Sequence, residues 1–78
     1  MWEVWYALEA ANHLDDNGAL VADLFFAIEA LAQNTDWPQA GDYHQTDKLV
    51  LWQILNHLVI YQRLQNVQVV QVAAIKPN

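Results

Sequence analysis

Apolar residues recur at helical spacing in two runs within the first 33 positions of the chain. In the first run Val4, Leu8, Ala11 and Leu14 share one face of a helix at about 100° per residue. The second run continues the same spacing through residues 24, 28 and 31. The pattern predicts one helix over about residues 2–15 and another over about residues 18–33.

The two predicted helices contain a repeated segment. EVWYALEA at residues 3–10 and DLFFAIEA at residues 23–30 carry the same or a similar residue at each of eight positions. The short link DDNG, residues 15–18, favours antiparallel neighbours joined as a helical hairpin. We interpret the repeat as a pseudo-symmetric pair of helices.

Aromatic and acidic residues mark the opposite face of each predicted helix. They are Trp2, Trp5, Tyr6 and Glu9 on the first helix, and Phe25, Phe26 and Glu29 on the second. One interpretation is that these side chains pack against a third helix or a second copy of the chain. The other is a partner-binding surface, because tryptophan and tyrosine are favoured anchors and glutamate pairs with basic groups.

The second half of the chain predicts a loop, a third helix and an uncharged tail. Pro38 and the pair Gly41-Asp42 indicate a loop over residues 34–45, from which Trp37 is expected to fold back onto the core. A broad apolar face predicts a helix over about residues 46–64; it is formed by Val50, Leu51, Ile54, Leu55, Leu58 and Val59.

The tail VQVVQVAAI, residues 67–75, is rich in valine and reads either as a strand or as a buried continuation of that helix. We favour the strand. It would pair across a dimer axis or with another protein's sheet, because it has no partner in this chain unless residues 2–6 are themselves a strand and the helical repeat is wrong. The predicted fold is thus all-α, one domain over residues 1–78, with a possible short C-terminal β-strand.

Composition adds the expectation of a partner. The chain is 55% hydrophobic and 15% charged, against about 45–50% and 25% in typical domains, so one small core cannot hide all of its apolar side chains. We therefore expect a homodimer or higher homo-oligomer, a protein partner, or both.

Charge narrows the class of partner. A net charge of −6 argues against nucleic acid and membrane surfaces and is compatible with a protein that has a basic surface. The start of the chain lacks the basic region of a signal peptide, and no apolar run is long enough to span a membrane, so we expect a cytoplasmic protein.

The candidate chemical motifs are weak. The stretch HLDDNGALVADL resembles the spacing of a calcium loop around Gly18, but His13 and Leu24 replace its two terminal acidic ligands. Glu9 and His13 have the i, i+4 spacing of metal ligands without a nearby third ligand. The chain has no cysteine, no serine and no phosphate-binding glycine loop, so we predict neither an enzyme nor a metal or cofactor site.

These observations predict a small acidic, non-catalytic module that binds or modulates another protein through the aromatic and acidic helix faces. Inhibitors, antitoxins and immunity proteins share this size and charge, which is an analogy of bulk properties. One alternative is a self-assembling structural or accessory subunit, because the apolar surplus and the uncharged tail both favour assembly. A second alternative is a helical domain that binds a small ligand between tryptophan side chains.

Overall fold

A mixed α/β fold replaces the predicted all-α fold. A computed structural model of the chain describes residues 2–34, 38 and 40–77. The described elements, in chain order, are β1 (Glu3–Tyr6), α1 (Leu8–Asn17), a 3-10 helix (Gly18–Val21), α2 (Ala22–Asn34), β2 (Asp42–Gln45), β3 (Val50–Ile54), β4 (His57–Leu64) and β5 (Val69–Pro77). The predicted fold class, and with it the description of a helical domain, is therefore wrong.

The strands form one sheet in the order β1-β5-β4-β3-β2. β1 runs parallel to β5, and the other neighbouring strands are antiparallel. The valine-rich tail is thus a strand, as its β-branched residues indicate. Its partners are β4 and the first residues of the same chain, where Val4 lies beside Val70 and Tyr6 beside Val72. The tail is paired on both sides without a second molecule.

The predicted third helix is instead an antiparallel pair of strands, β3 and β4. Leu55 and Asn56 join them with positive φ angles of 51° and 61°, the conformation of a type I′ hairpin turn. The side chains then alternate, so that Trp52 and Val59 are buried. The helix was predicted because both faces of these strands carry apolar residues, and their spacing along the sequence resembles that of a helical face. The turn gave no warning, because Leu-Asn lacks the glycine that usually marks a two-residue hairpin turn. β2 likewise occupies the end of the predicted loop.

The predicted repeat is also wrong, because its two copies adopt different structures. The first copy begins as β1, and the helix starts only at Leu8. Ala7 is still extended, with φ −63° and ψ 157°, and its N–H donates to the carbonyl oxygen of Val72 at 2.8 Å. The second copy lies entirely within α2, so the helix predicted over residues 18–33 is confirmed apart from its 3-10 first turn. The two copies differ because the first pairs with β5, a strand that is distant in sequence.

The core lies between the helices and one face of the sheet. The helical layer contributes Ala10, Val21, Leu24, Ile28 and Leu31, and the sheet contributes Val50, Trp52, Val59, Tyr61, Val70, Val72 and Ile75. Both helices contact β1 and β5. Trp37, which was expected to cover the core, lies outside the described residues. No helix in the described part of the chain is long and apolar enough to cross a membrane.

A close approach of the chain closes the core beside Trp52. The indole Nε1 of Trp52 donates a hydrogen bond to the carbonyl oxygen of Ala40 at 2.8 Å. The next residue, Gly41, has φ 75°, and a Cβ there would collide with the backbone oxygen of Gln53. Glycine is therefore required where the chain passes over β3 to enter β2.

Candidate functional site

Six of the seven predicted surface residues line two grooves beside β1 and α2. They are Trp2, Trp5, Tyr6, Phe25, Phe26 and Glu29. These residues lie together because a strand and a helix present them, and not because two helices do, as was predicted. Glu9 is the exception: it lies exposed in the first turn of α1 and lines neither groove.

A hydrogen bond links β1 to α2 at the centre of this region. The hydroxyl of Tyr6 donates to Oε2 of Glu29 at 2.7 Å, and both side chains are partly buried. Burial raises the pKa of Tyr6 well above its ordinary value, and the hydrogen bond to the Glu29 carboxylate raises it further. Tyr6 is therefore neutral at physiological pH and remains a hydrogen-bond donor.

The first groove, which we call the interhelix groove, lies between α1 and α2 and has a volume of about 360 Å³. Its larger lining residues are Tyr6, Leu14, Asp15, Val21, Phe25 and Phe26. The rings of Tyr6 and Phe25 are stacked, with centroids 6.3 Å apart, and Phe26 meets Phe25 edge-on at 5.9 Å. Phe26 is 68% exposed, so this aromatic cluster extends from the sheet to the surface.

The second groove, which we call the edge groove, runs along β1 and has a volume of about 960 Å³. It is lined by Trp2, Glu3, Val4 and Trp5 from the N-terminal segment, and by Glu29, Ala32 and Gln33 from α2. Trp5 is 50% exposed and donates through Nε1 to Glu3 at 3.2 Å. Trp2 is less available, since it packs against the core with the Arg63 guanidinium 4.9 Å from its ring centroid.

The backbone of β1 adds hydrogen-bonding groups to the edge groove. The N–H of Glu3 donates to the carbonyl oxygen of Gln68 at 3.0 Å, and the N–H of Ala7 donates to the carbonyl oxygen of Val72 at 2.8 Å. The backbone N–H and C=O groups of the odd-numbered residues therefore face β5. Alternate residues of a strand direct their N–H and C=O groups to opposite sides. Those of Val4 and Tyr6 therefore point away from β5, to the edge where the described residues provide no further strand.

The charged residues that line the two grooves are acidic. Asp15 lines the interhelix groove, and Glu3 and Glu29 line the edge groove. Among the described residues neither groove is lined by lysine or arginine. The site therefore combines aromatic surface, carboxylates and strand backbone.

His13, which has the spacing of a metal ligand relative to Glu9, contacts a second histidine. His13 lies against His57, with ring centroids 5.3 Å apart, and its Nδ1 is 3.4 Å from the side-chain nitrogen of Asn17. Across the described ranges, no group of three or more histidine, aspartate or glutamate side chains lies close enough to hold a metal ion. The histidine pair joins α1 to the start of β4.

Comparison with known proteins adds no family to this description. No protein-family model matches the sequence. A search of curated proteins finds no significant match either.

Sequence reasoning missed the backbone edge beside the aromatic residues. Val4 was assigned to a helix, in which its N–H would be bonded internally, although Val4, Trp5 and Tyr6 are all residue types favoured in strands. That local preference, together with a valine-rich tail that needed a partner, was the available signal for a free strand edge.

The Tyr6–Glu29 hydrogen bond predicts a measurable difference between two conservative variants. Tyr6→Phe removes the donor from a partly buried carboxylate, and we expect it to lower the free energy of unfolding by about 1–2 kcal/mol. Glu29→Gln retains an acceptor oxygen and is expected to lose less. Urea denaturation followed by circular dichroism measures both, with Glu9→Gln as the exposed control. Equal losses from Glu9→Gln and Tyr6→Phe would contradict a stabilising role for the bond.

Proposed function

We propose that this protein is a small acidic, non-catalytic interaction module that binds an extended segment of another protein along β1. The observation that carries the proposal is the open edge of β1, which runs along the edge groove and ends at Tyr6, where the interhelix groove begins. An added strand would bond to the backbone groups of Val4 and Tyr6 that face away from β5. Main-chain hydrogen bonds would supply affinity, and the grooves would select the side chains.

The alternation of a strand defines the chemistry of the bound segment. Side chains on one face would enter the edge groove toward Glu29, where a basic group would meet a carboxylate. Side chains on the other face would lie along Trp5, which offers half of its surface to solvent. We therefore expect a segment with lysine or arginine alternating with apolar or aromatic residues.

A protein of this kind would modulate its partner by binding to it, without catalysing a reaction. Its size and its net charge of −6 are those of inhibitors, antitoxins and immunity proteins, an analogy of bulk properties only. The chain has no cysteine and so needs no oxidising compartment to form disulfides, and we propose a cytoplasmic location on that basis.

A proline substitution tests the strand-addition mode directly. Val4→Pro removes the N–H that faces the open edge and leaves the bonds of Glu3 and Ala7 to β5 in place, since proline is tolerated on edge strands. Peptides are first selected from a random displayed library on the unmodified protein. We then expect Val4→Pro to weaken their binding at least about tenfold in a fluorescence titration.

Val4→Ala is the matched control, because it shortens the same side chain and keeps the N–H. We expect it to bind the selected peptides within about threefold of the unmodified protein. Equal binding by all three proteins, or selected peptides that bind equally well to Trp5→Ala and Phe25→Ala variants, would show that β1 and its grooves are not the site. Circular dichroism confirms that each variant is folded.

A further inference from the structure

The face of the sheet opposite the helices carries partly buried apolar side chains. Trp52, Val59 and Ile75 point into the core, so the residues that alternate with them point outward. Leu51, Leu58 and Ile60 belong to this outward set, and each is partly exposed. In the part of the chain that the structure describes, the helices lie on the other face. We call this surface the outer sheet face.

The strand register orders this face into two neighbouring rows. One row crosses β2, β3, β4 and β5 as Asp42, Gln53, Leu58 and Lys76. The next row crosses the same strands as His44, Leu51, Ile60 and Ala74. The first row thus has an acidic residue at one end and a basic residue at the other, both exposed. The second row is apolar in the middle.

We propose that the outer sheet face binds a second copy of this chain, forming a two-fold symmetric dimer. A two-fold axis parallel to the strands and passing between β3 and β4 exchanges β2 with β5. Asp42 then lies opposite Lys76 of the partner subunit, and Lys76 opposite the partner's Asp42. In the neighbouring row the same axis places Leu51 against Ile60 of the partner subunit. The face is thus self-complementary in charge at the ends of the first row and in apolarity at the middle of the second, which a two-fold interface requires.

The geometry agrees with known sheet packing and leaves β1 free. Two sheets stacked face to face keep their strands within about 30° of alignment, which this axis produces. β1 lies beyond β5 and outside the four strands that the axis pairs. Its open edge and both grooves therefore remain accessible in the dimer. Dimerisation and the proposed partner binding are separate properties.

The size of the face predicts a reversible dimer rather than an obligate one. Four strands about 4.8 Å apart make a contact roughly 20 Å wide. Two such faces bury on the order of 1,000 Å² in total, which is the low end of specific interfaces. We expect monomer and dimer to exchange within the micromolar range of concentration.

A charge exchange tests the proposal in solution. Sedimentation equilibrium over about a hundredfold range of concentration gives the dissociation constant of the dimer. Asp42→Lys and Lys76→Asp each place like charges opposite one another twice per dimer, and we expect each to raise that constant at least about tenfold. The double variant Asp42→Lys/Lys76→Asp restores opposite charges and is expected to recover most of the lost affinity. Both side chains are exposed, so the variants should fold.

Leu8→Asp is the control for added charge elsewhere, because Leu8 is 77% exposed on the helical side. We expect it to leave the dissociation constant unchanged. An unmodified protein that remains monomeric over the whole range would overturn the proposal. So would a dimer that tolerates both single reversals, a double variant that does not recover, or a dimer abolished by Leu8→Asp.

Discussion

Trp52→Ala is expected to remove about 3–5 kcal/mol from the free energy of unfolding. Trp52 is only 2% exposed and is among the largest fully buried side chains of the described core. Its ring meets Tyr61 edge-on at a centroid distance of 6.3 Å, and its Nε1 bonds to Ala40. Truncation leaves a cavity between the sheet and the segment that covers it, and it orphans a carbonyl oxygen. The free energy of unfolding of a chain of this length is roughly 4–12 kcal/mol in total, so the variant is expected to be marginally folded.

Trp5→Ala is the matched comparison, because Trp5 is the same residue type at half exposure on the other face of the sheet. We expect it to lose less than about 1 kcal/mol. Urea denaturation followed by far-ultraviolet circular dichroism measures both variants without relying on tryptophan fluorescence. A loss from Trp5→Ala as large as that from Trp52→Ala would contradict the assignment of the two faces.

The positions of Trp5 and Trp52 also show which parts of the fold a sequence pattern can predict and which it cannot. α2 was predicted from its helical spacing, and the valine-rich tail from its β-branched residues, because both signals are local. Trp5 was placed on a helix face and Trp52 in a third helix. Both lie in strands whose partners are distant in sequence, and a local pattern does not report such pairing. The turn at Leu55-Asn56 deepened the error, since its left-handed backbone is achieved without glycine.

The candidate site could be predicted in part for a related reason. Tyr6, Phe25 and Glu29 were all assigned to aromatic and acidic faces, Tyr6 on the first predicted helix and the other two on the second. Their actual contact, a strand residue against a helix residue, follows from the pairing of β1 with β5. The backbone edge and the outer sheet face follow from the same pairing. Both depend on the alignment of strands that are distant in sequence, and only the first had a local signal, in the strand-favouring residues of β1 and the valine-rich tail.

Alkaline pH is expected to destabilise the protein through Tyr61. This side chain is fully buried, and its hydroxyl has no hydrogen-bond partner among the described residues. Burial raises its pKa from 10.0 to about 12, with nearby Arg63 lowering the pKa and Tyr43 raising it. Above pH 10 the unfolded chain has lost this proton and the native state has kept it. The unfolded state then binds fewer protons, so the free energy of unfolding falls as pH rises.

The loss accumulates between pH 10 and about 12 and amounts to roughly 3 kcal/mol from Tyr61. Tyr6, whose pKa is also raised, acts in the same direction. Urea midpoints measured at intervals of pH follow the effect. The Tyr61→Phe variant is expected to show a shallower decline. At neutral pH it should match or exceed the stability of the unmodified protein, because it removes an unpaired buried hydroxyl without changing the shape of the ring.

Tyr43→Phe is the control, since Tyr43 is 44% exposed and its removal should leave the alkaline decline largely in place. Two results would count against the assignment. One is a free energy of unfolding that stays constant above pH 10. The other is a loss of more than about 1 kcal/mol in Tyr61→Phe at neutral pH, which would mean that the hydroxyl has a stabilising partner. We expect instead that packing of the Tyr61 ring holds β4 against the core and that the Tyr61 hydroxyl does not contribute to this.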